Sequence, residues 1–278
     1  MKTSELINLG SSFLKDKNII SNRIDSEIIL SHIMGITRER LLINEENIEP
    51  TKVKIFKSLI LRRSKNEPIA YITKHKEFRS INFFVDTNSL IPRPETELLI
   101  DPIISIFKWR KLFFLDVGIG TGCIIFSILR ELKHSRAVGV DICKKTITNA
   151  RKNLINMDLQ NRVKLLHKPL DKVIGYKFDL IVSNPPYVVK REINRLSRDI
   201  KSYEPRYALD GGNDGLDVIR KVIYKSKHIL KSRGILALEI GNGQQKEVIK
   251  MLSDNNFKLK EKIKDYKSNV RCIFSTLI

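Results

Sequence analysis

One short segment constrains this chain more than any other. The run Phe178-Asp179-Leu180-Ile181-Val182 leads straight into Ser183-Asn184-Pro185-Pro186-Tyr187. The run is brief, partly β-branched and stopped by two prolines, so it reads as a buried strand of a parallel sheet. Neither proline can donate to a ladder or comfortably start a helix, so the chain leaves the sheet in an extended turn. Ligands of open α/β sheets sit outside the carboxyl ends of the strands. An Asn and a Tyr are therefore presented at such an edge on a stiff backbone. The Asn184 side-chain oxygen and the Pro185 carbonyl can each accept an N–H from one amide or exocyclic amino nitrogen. Such a nitrogen is a poor nucleophile because its lone pair is delocalised. Two acceptors orient it and favour a pyramidal form, and Tyr187 offers a flat face for stacking. Taken alone, the segment is equally well a plain turn, since Asn-Pro and Pro-Pro are common turn dipeptides.

The surrounding sequence moves the balance. From Leu112 onward strands and helices alternate, as in a doubly wound sheet. Leu112 to Val117 is the first strand, Gly118-Ile119-Gly120-Thr121-Gly122 the turn after it, and Cys123 to Leu132 the first helix. Asp116 stands just before the turn. The glycines allow a sharp bend and close approach to a ligand. A second strand, Ala137 to Val140, ends in Asp141, about 25 residues on, near the spacing of a ribose-binding acid in nucleotide folds. Asp141 can accept from two ribose hydroxyls, or it can cap the helix that starts at Cys143 or Lys144. Later strands are Val163 to Leu166, Gly234 to Ile240, Phe257 to Ile263 and Arg271 to Leu277, with a helix over Gln245 to Asp254. A full G-x-G-x-x-G and a second nucleotide half are both missing.

Residues 1 to about 75 read as a small bundle of four or five helices. Leu6, Leu9, Phe13 and Leu14 recur at helical spacing, and so do Ile24, Ile28, Ile29, His32 and Ile33, with His32 expected as a satisfied core histidine. Gly35 is a natural stop, and a longer helix covers about Thr51 to Lys65. Residues 76 to 90 switch to a period of two and form a hairpin linker, and residues 91 to 278 form the sheet domain. Prolines bracket Arg93 in Leu90-Ile91-Pro92-Arg93-Pro94-Glu95-Thr96-Glu97, where a helix begins with acidic residues and a rigid wall beside a ligand pocket is expected.

The chain has 278 residues, 42% of them apolar, ample for a core. No stretch approaches the roughly 20 apolar residues of a membrane span, and the first residues carry no signal or transit character. Cys123, Cys143 and Cys272 form no disulfide framework, which points to a reducing cytoplasm, and no metal-ligand cluster is visible. The net charge of +20 suggests a polyanionic neighbour, although the basic residues are spread along the chain as they would be on ordinary solvated faces.

These motifs together resemble a class I S-adenosylmethionine-dependent methyltransferase and, more narrowly, the protein-(glutamine-N5) methyltransferases of the PrmC/HemK family. The resemblance covers nearly the whole chain. It rests on Glu67 to Ile72, Glu77-Phe78, Ile91 to Glu97, Asp116 to Gly122, Asp141, Asn184 to Tyr187, and Glu204-Pro205 with Ala208 to Gly212 and Asp214 to Leu216. It implies a Rossmann-like sheet domain behind an N-terminal helical bundle that recognises release factors. It implies methylation of the glutamine of the Gly-Gly-Gln motif in class-1 peptide chain release factors, supporting translation termination. S-adenosyl-L-methionine would lie against Gly118, Ile119, Gly120, Thr121, Gly122, Asp141, Pro169 and Asn184. Asn184 and Pro185 would hold the glutamine amide, with Pro186 and Tyr187 shaping its slot and Asn184, Pro185 and Tyr187 forming the catalytic set. A monomer without metal is expected, with at most indirect proximity to ribosomal RNA. Two departures stand out: Ile119 replaces a small or hydroxyl residue, and His167-Lys168-Pro169-Leu170 lacks the family's acid near adenine, for which Asp171 could substitute. Asn-Pro-Pro-Tyr also occurs in methyltransferases of adenine or guanine amino groups in RNA or DNA, which is the alternative activity. A binding protein that has kept the fold without the chemistry is a third reading.

Overall fold

The computed structural model describes residues 1–278 and divides into two compact units. Residues 1–75 and 197–203 form the first, and residues 76–196 and 204–278 the second. The helical unit thus includes residues 197–203, which the sequence reading leaves in the sheet domain.

The helical unit contains α1 (Thr3–Asp16), α2 (Asn22–Met34), α3 (Arg38–Ile43), α4 (Pro50–Arg63) and α5 (Ile69–Thr73). Its core gathers Leu6, Leu14, Ile29, Leu30, Phe56 and Ile60. Gly10 lets α1, α2 and α4 approach closely, since a Cβ there would lie 2.6 Å from both the Phe56 ring and the Ser26 hydroxyl. The face of α2 differs from the expected one. His32 and Ile24 are exposed, and on α1 so are Leu9 and Phe13. The buried face of α2 instead carries Asp25, Ser26, Glu27, Ile29 and Leu30. Arginines make this possible. Arg63 Nε lies 2.7 Å from Asp25, while Arg38 and Arg23 lie 2.8 and 3.1 Å from Glu27. Paired carboxylates can be buried where lone ones cannot, so hydrophobic periodicity alone misplaced the face. Gly35 closes α2 in the left-handed conformation, as expected of a stop.

In the second unit, β1 (His75–Phe78) and β2 (Ile81–Phe84) form a two-stranded hairpin whose turn residues, Arg79 and Ser80, both have positive φ. That is the turn type whose twist matches a hairpin. The main sheet contains β3 (Phe113–Val117), β4 (Arg136–Asp141), β5 (Val163–His167), β6 (Phe178–Ser183), β7 (Leu230–Glu239), β8 (Phe257–Lys264) and β9 (Val270–Leu277). Their order is β5-β4-β3-β6-β7-β9-β8. Neighbours from β5 to β7 run parallel, and β9 is antiparallel to both β7 and β8.

Helices cover both faces. Along β6, Leu180 and Val182 join a core with α6 (Ile100–Phe107) and α7 (Cys123–Glu131), also lined by α8 (Lys144–Asn156). Ile181 faces the other way, into a core with α10 (Asp217–Ile229) and α11 (Gln245–Asp254). The short α9 (Arg198–Tyr203) belongs with the helical unit. Burial on both faces is why these strands read as continuous apolar runs. The order reverses between β3 and its neighbours β4 and β6, which puts a crevice at their carboxyl ends. The glycine turn and Asn184 both stand there.

Candidate active site

The turn after β3 is built from glycines with distinct tasks. Gly118, Gly120 and Gly122 have φ of +74, +55 and +83°, a region that side chains rarely adopt. Around Gly118 a Cβ would meet open space, and around Gly120 only the Gly118 carbonyl at 3.9 Å, so this stretch is bare backbone facing a free volume. Gly122 is needed for packing, because a Cβ there would lie 2.1 Å from the Phe126 ring. Ile119 does not line that volume. It is buried, and its Cδ1 comes so close to β4 that a Cβ on Gly139 would stand 2.3 Å away. The isoleucine that looked out of place in the turn is therefore a core residue, fitted by the glycine opposite. Thr121 is also buried, and its carbonyl accepts from Asn153 Nδ2 at 2.9 Å.

Two acids flank the turn. Asp141 ends β4, and its carboxylate accepts from the Gly120 amide at 3.3 Å and the Cys143 amide at 2.9 Å. Burial raises its pKa despite those amides. Each oxygen keeps a lone pair for a further donor such as a hydroxyl. Asp116 is fully buried in β3, and neither of its oxygens makes a well-formed hydrogen bond, although the Ile125 amide lies close enough to favour its charge. Burial pushes its carboxyl up to about 7, against the Ile125 amide, with the charge of Asp141 adding to the rise. Beyond β5, the Lys168 amide donates to the Asp141 carbonyl at 3.1 Å, and exposed Pro169 opens a 3-10 turn over Leu170–Lys172. Pro169 thus follows directly on the residue bonded to Asp141, while Asp171 is exposed.

The Asn-Pro-Pro-Tyr turn is clasped from behind. Gln244 Nε2 donates to the carbonyls of Tyr187 and Gly215, both at 3.1 Å, while its Oε1 takes the Gly241 amide at 2.8 Å. The Val188 amide donates to Leu209, and the Gly211 amide to Val188. A Cβ on Gly211 would lie 2.8 Å from Tyr187 Cα, so the Ala208 to Leu216 stretch can press directly on the turn. Arg93 pairs with buried Glu204, which also accepts from the Ile91 amide at 3.3 Å. This ties the proline-bracketed segment in place. A 3-10 turn over Pro94–Leu99 follows it in place of the expected α-helical start.

Asn184 Nδ2 donates to Thr96 Oγ1 at 3.0 Å. Its Oδ1 and the Pro185 carbonyl accept no hydrogen bond within the chain, which leaves two acceptors on consecutive residues without a donor, Asn184 half-buried and Pro185 buried. Tyr187 is more tied down than a free stacking face would be. Its hydroxyl donates to Glu239 at 3.1 Å and accepts from Arg271 at 3.1 Å, and the Arg271 guanidinium lies 5.6 Å from its ring centroid. Burial and the Glu239 charge raise the Tyr187 pKa, so the phenol stays protonated. Sequence reading missed Thr96, Glu239, Arg271 and Gln244 as parts of this site. The available signal was an acid closing an apolar strand in Leu236-Ala237-Leu238-Glu239, where a buried carboxylate needs partners. No group of three or more His, Cys, Asp or Glu side chains is placed to hold a metal ion.

Comparison with known proteins agrees with this layout. Residues 5–73 match the family described as PrmC N-terminal domain, and residues 95–200 match the Methyltransferase small domain. A release factor glutamine methyltransferase of Clostridium acetobutylicum is 38% identical over 275 residues, covering 96% of this chain and 95% of its own. One from Fusobacterium nucleatum is 36% identical over 277 residues, covering 98% of this chain and 78% of its own. The crystal structure of a methyltransferase from Pyrococcus furiosus shares the fold, with a TM-score of 0.54 and 16% identity over 79% of this chain and 96% of that one.

Proposed function

The chain belongs to the release factor glutamine methyltransferase family, and from that membership and the site geometry we propose that it methylates the side-chain amide nitrogen of the Gly-Gly-Gln glutamine in class-1 peptide chain release factors. The observation that carries this reading is the pair of open acceptors, Asn184 Oδ1 and the Pro185 carbonyl. A primary amide has two N–H groups on one nitrogen, and two adjacent acceptors match them.

S-adenosyl-L-methionine, when bound, supplies an electrophilic methyl group. The residues present fit it. Gly118 and Gly120 leave bare backbone beside a free volume, Asp141 has lone pairs for ribose hydroxyls, and the unpartnered Asp116 carboxylate suits an ammonium group. In this reading the backbone of Thr121 and Gly122 and the exposed Pro169 would complete the wall, with buried Ile119 supporting it from the core side.

Asn184 and Pro185 hold the glutamine nitrogen so that its lone pair points at the methyl group. Pro185 suits this role because its fixed φ restrains the carbonyl, and Pro186 and Tyr187 bound the slot. No side chain here is an evident strong base, so positioning and electrostatics supply most of the rate. The nitrogen, which gains the methyl as the sulfonium sulfur leaves as a neutral thioether, sheds one of its protons after transfer. Residues 1–75 are the recognition module of this reading, residues 76–90 its linker and residues 91–278 the transferase domain. A cytoplasmic monomer with at most indirect proximity to ribosomal RNA belongs to the same reading; the free thiols support the compartment and the +20 charge the polyanionic neighbourhood.

Mass mapping of a release factor after incubation with the protein and S-adenosyl-L-methionine tests the proposal. The expected result is one added methyl on the Gly-Gly-Gln glutamine with the wild-type protein. An unmodified glutamine, or a methyl on another residue, would contradict it.

A further inference from the structure

The Asn184 amide can face two ways, and only one of them leaves its oxygen for a substrate. What decides between them is a buried chain of polar groups from four separate elements. Glu239 closes β7 and is wholly buried. One of its oxygens takes the Thr96 hydroxyl at 2.7 Å, and the other takes the Tyr187 hydroxyl at 3.1 Å. Arg271, on β9, lies 3.9 Å from the same carboxylate and donates to the Tyr187 oxygen at 3.1 Å. That donation turns the phenol's own proton toward Glu239.

Burial raises the Glu239 pKa, and the Thr96 hydroxyl, the Arg271 guanidinium and the Tyr187 hydroxyl oppose that rise by favouring the carboxylate. A carboxylate offers acceptors alone, and a threonine hydroxyl has a single proton. Thr96 gives that proton to Glu239 and keeps a lone pair toward Asn184. Only the NH2 end of the Asn184 amide can meet a lone pair, and Nδ2 stands 3.0 Å from Thr96 Oγ1. The reversed amide would set oxygen against oxygen at that distance. We propose that Thr96 and Glu239 are positioning residues that fix the Asn184 amide with its oxygen facing the acceptor slot, and so select a nitrogen bearing hydrogens as the methyl acceptor. This inference rests on the proposed role of Asn184. A reversed amide would present NH2 to the slot, repelling a glutamine N–H and favouring a carbonyl or carboxylate oxygen.

The test uses the full-length protein with Thr96→Val, which keeps the shape and removes the hydroxyl, and Thr96→Ser, which restores it. Three quantities are read: kcat and KM for a release factor, cofactor affinity by calorimetry, and the Asn184 side-chain amide signal in a nitrogen–proton correlation spectrum. That signal is assigned by its loss in Asn184→Ala. Thr96→Val is expected to lower kcat about ten- to a hundredfold, by analogy with loss of the partner that orients a metal ligand, with cofactor affinity within about twofold. Its Asn184 signal is expected to shift or double as both orientations become populated. Thr96→Ser is expected to recover most of kcat and the wild-type signal. Wild-type kcat in Thr96→Val, or an Asn184 signal that does not move, would overturn the proposal. Should the wild-type protein transfer no methyl to a release factor, the functional reading fails, while the amide signal still decides the orientation.

Discussion

Asp116 is fully buried, its oxygens make no well-formed hydrogen bond, and burial pushes its carboxyl up to about 7 from the ordinary carboxylate range. The folded protein therefore binds this proton more tightly than the unfolded chain. Below about pH 4 both states are protonated and the group costs nothing. Between about pH 4 and 7 the folded state is penalised progressively, and above 7 the penalty is complete. Asp116→Asn removes the charge at constant shape. We expect it to stabilise the cofactor-free protein by on the order of 2–4 kcal/mol at pH 8 and by little at pH 4, while weakening S-adenosyl-L-methionine binding. Thermal unfolding across that pH range, with calorimetry for the cofactor, checks both; a stabilisation that grows on acidification would contradict the account. Asn184→Ala should abolish transfer while leaving cofactor affinity largely intact, because its amide is assigned mainly to the acceptor. Equilibrium dialysis beside a single-turnover assay separates the two, and undiminished transfer would remove Asn184 from the mechanism. Ile119 and Gly139 form a fitted pair. Gly139→Ala should cost about 1–3 kcal/mol by overpacking, and Ile119→Val should relieve part of that cost in the double variant. Denaturant unfolding of the four-member cycle measures the coupling.

At the scale of elements, the helical unit offers a test in which two known effects oppose each other. Gly10→Ala gains up to about 1 kcal/mol of helix propensity on α1. Against that stands the clash of its Cβ with Phe56 and Ser26, both at 2.6 Å. Overpacking of this kind costs about 1–3 kcal/mol, so net destabilisation is expected in chemical unfolding, and a net gain would show that these helices part easily. The strands were legible because the central parts of β3, β4, β6 and β7 are buried on both faces and are mostly apolar, although β7 begins at Leu230, four residues before the expected start, through exposed Lys231, Ser232 and Arg233. The buried face of α2 was not legible, because Asp25 and Glu27 enter the core paired with Arg63 and Arg38 from outside the helix, with only Arg23 a local partner. The site divides in the same way. Asn184, Pro185 and the glycine turn announce themselves locally, through proline and glycine chemistry in consecutive residues. Thr96 and Glu239 are 143 residues apart, and their hydrogen bond exists only once β7 lies beside the proline-bracketed segment. No local pattern carries that information.

For the whole molecule, the architecture separates two tasks. The helical unit has its own core and no apparent catalytic constellation, whereas the sheet unit holds two cores, one on each face of the sheet, and the site at the carboxyl ends of the strands. The net charge of +20 would bring either unit toward polyanions, so nucleic acid is the competitor that the account must exclude as substrate. The measurement that decides most directly is transfer of labelled methyl from S-adenosyl-L-methionine to three acceptors in parallel. These are a release factor, the same factor with its Gly-Gly-Gln glutamine changed to alanine, and total RNA. The account predicts label in the first alone. Label in the RNA, or equal label in the two release factors, would contradict it.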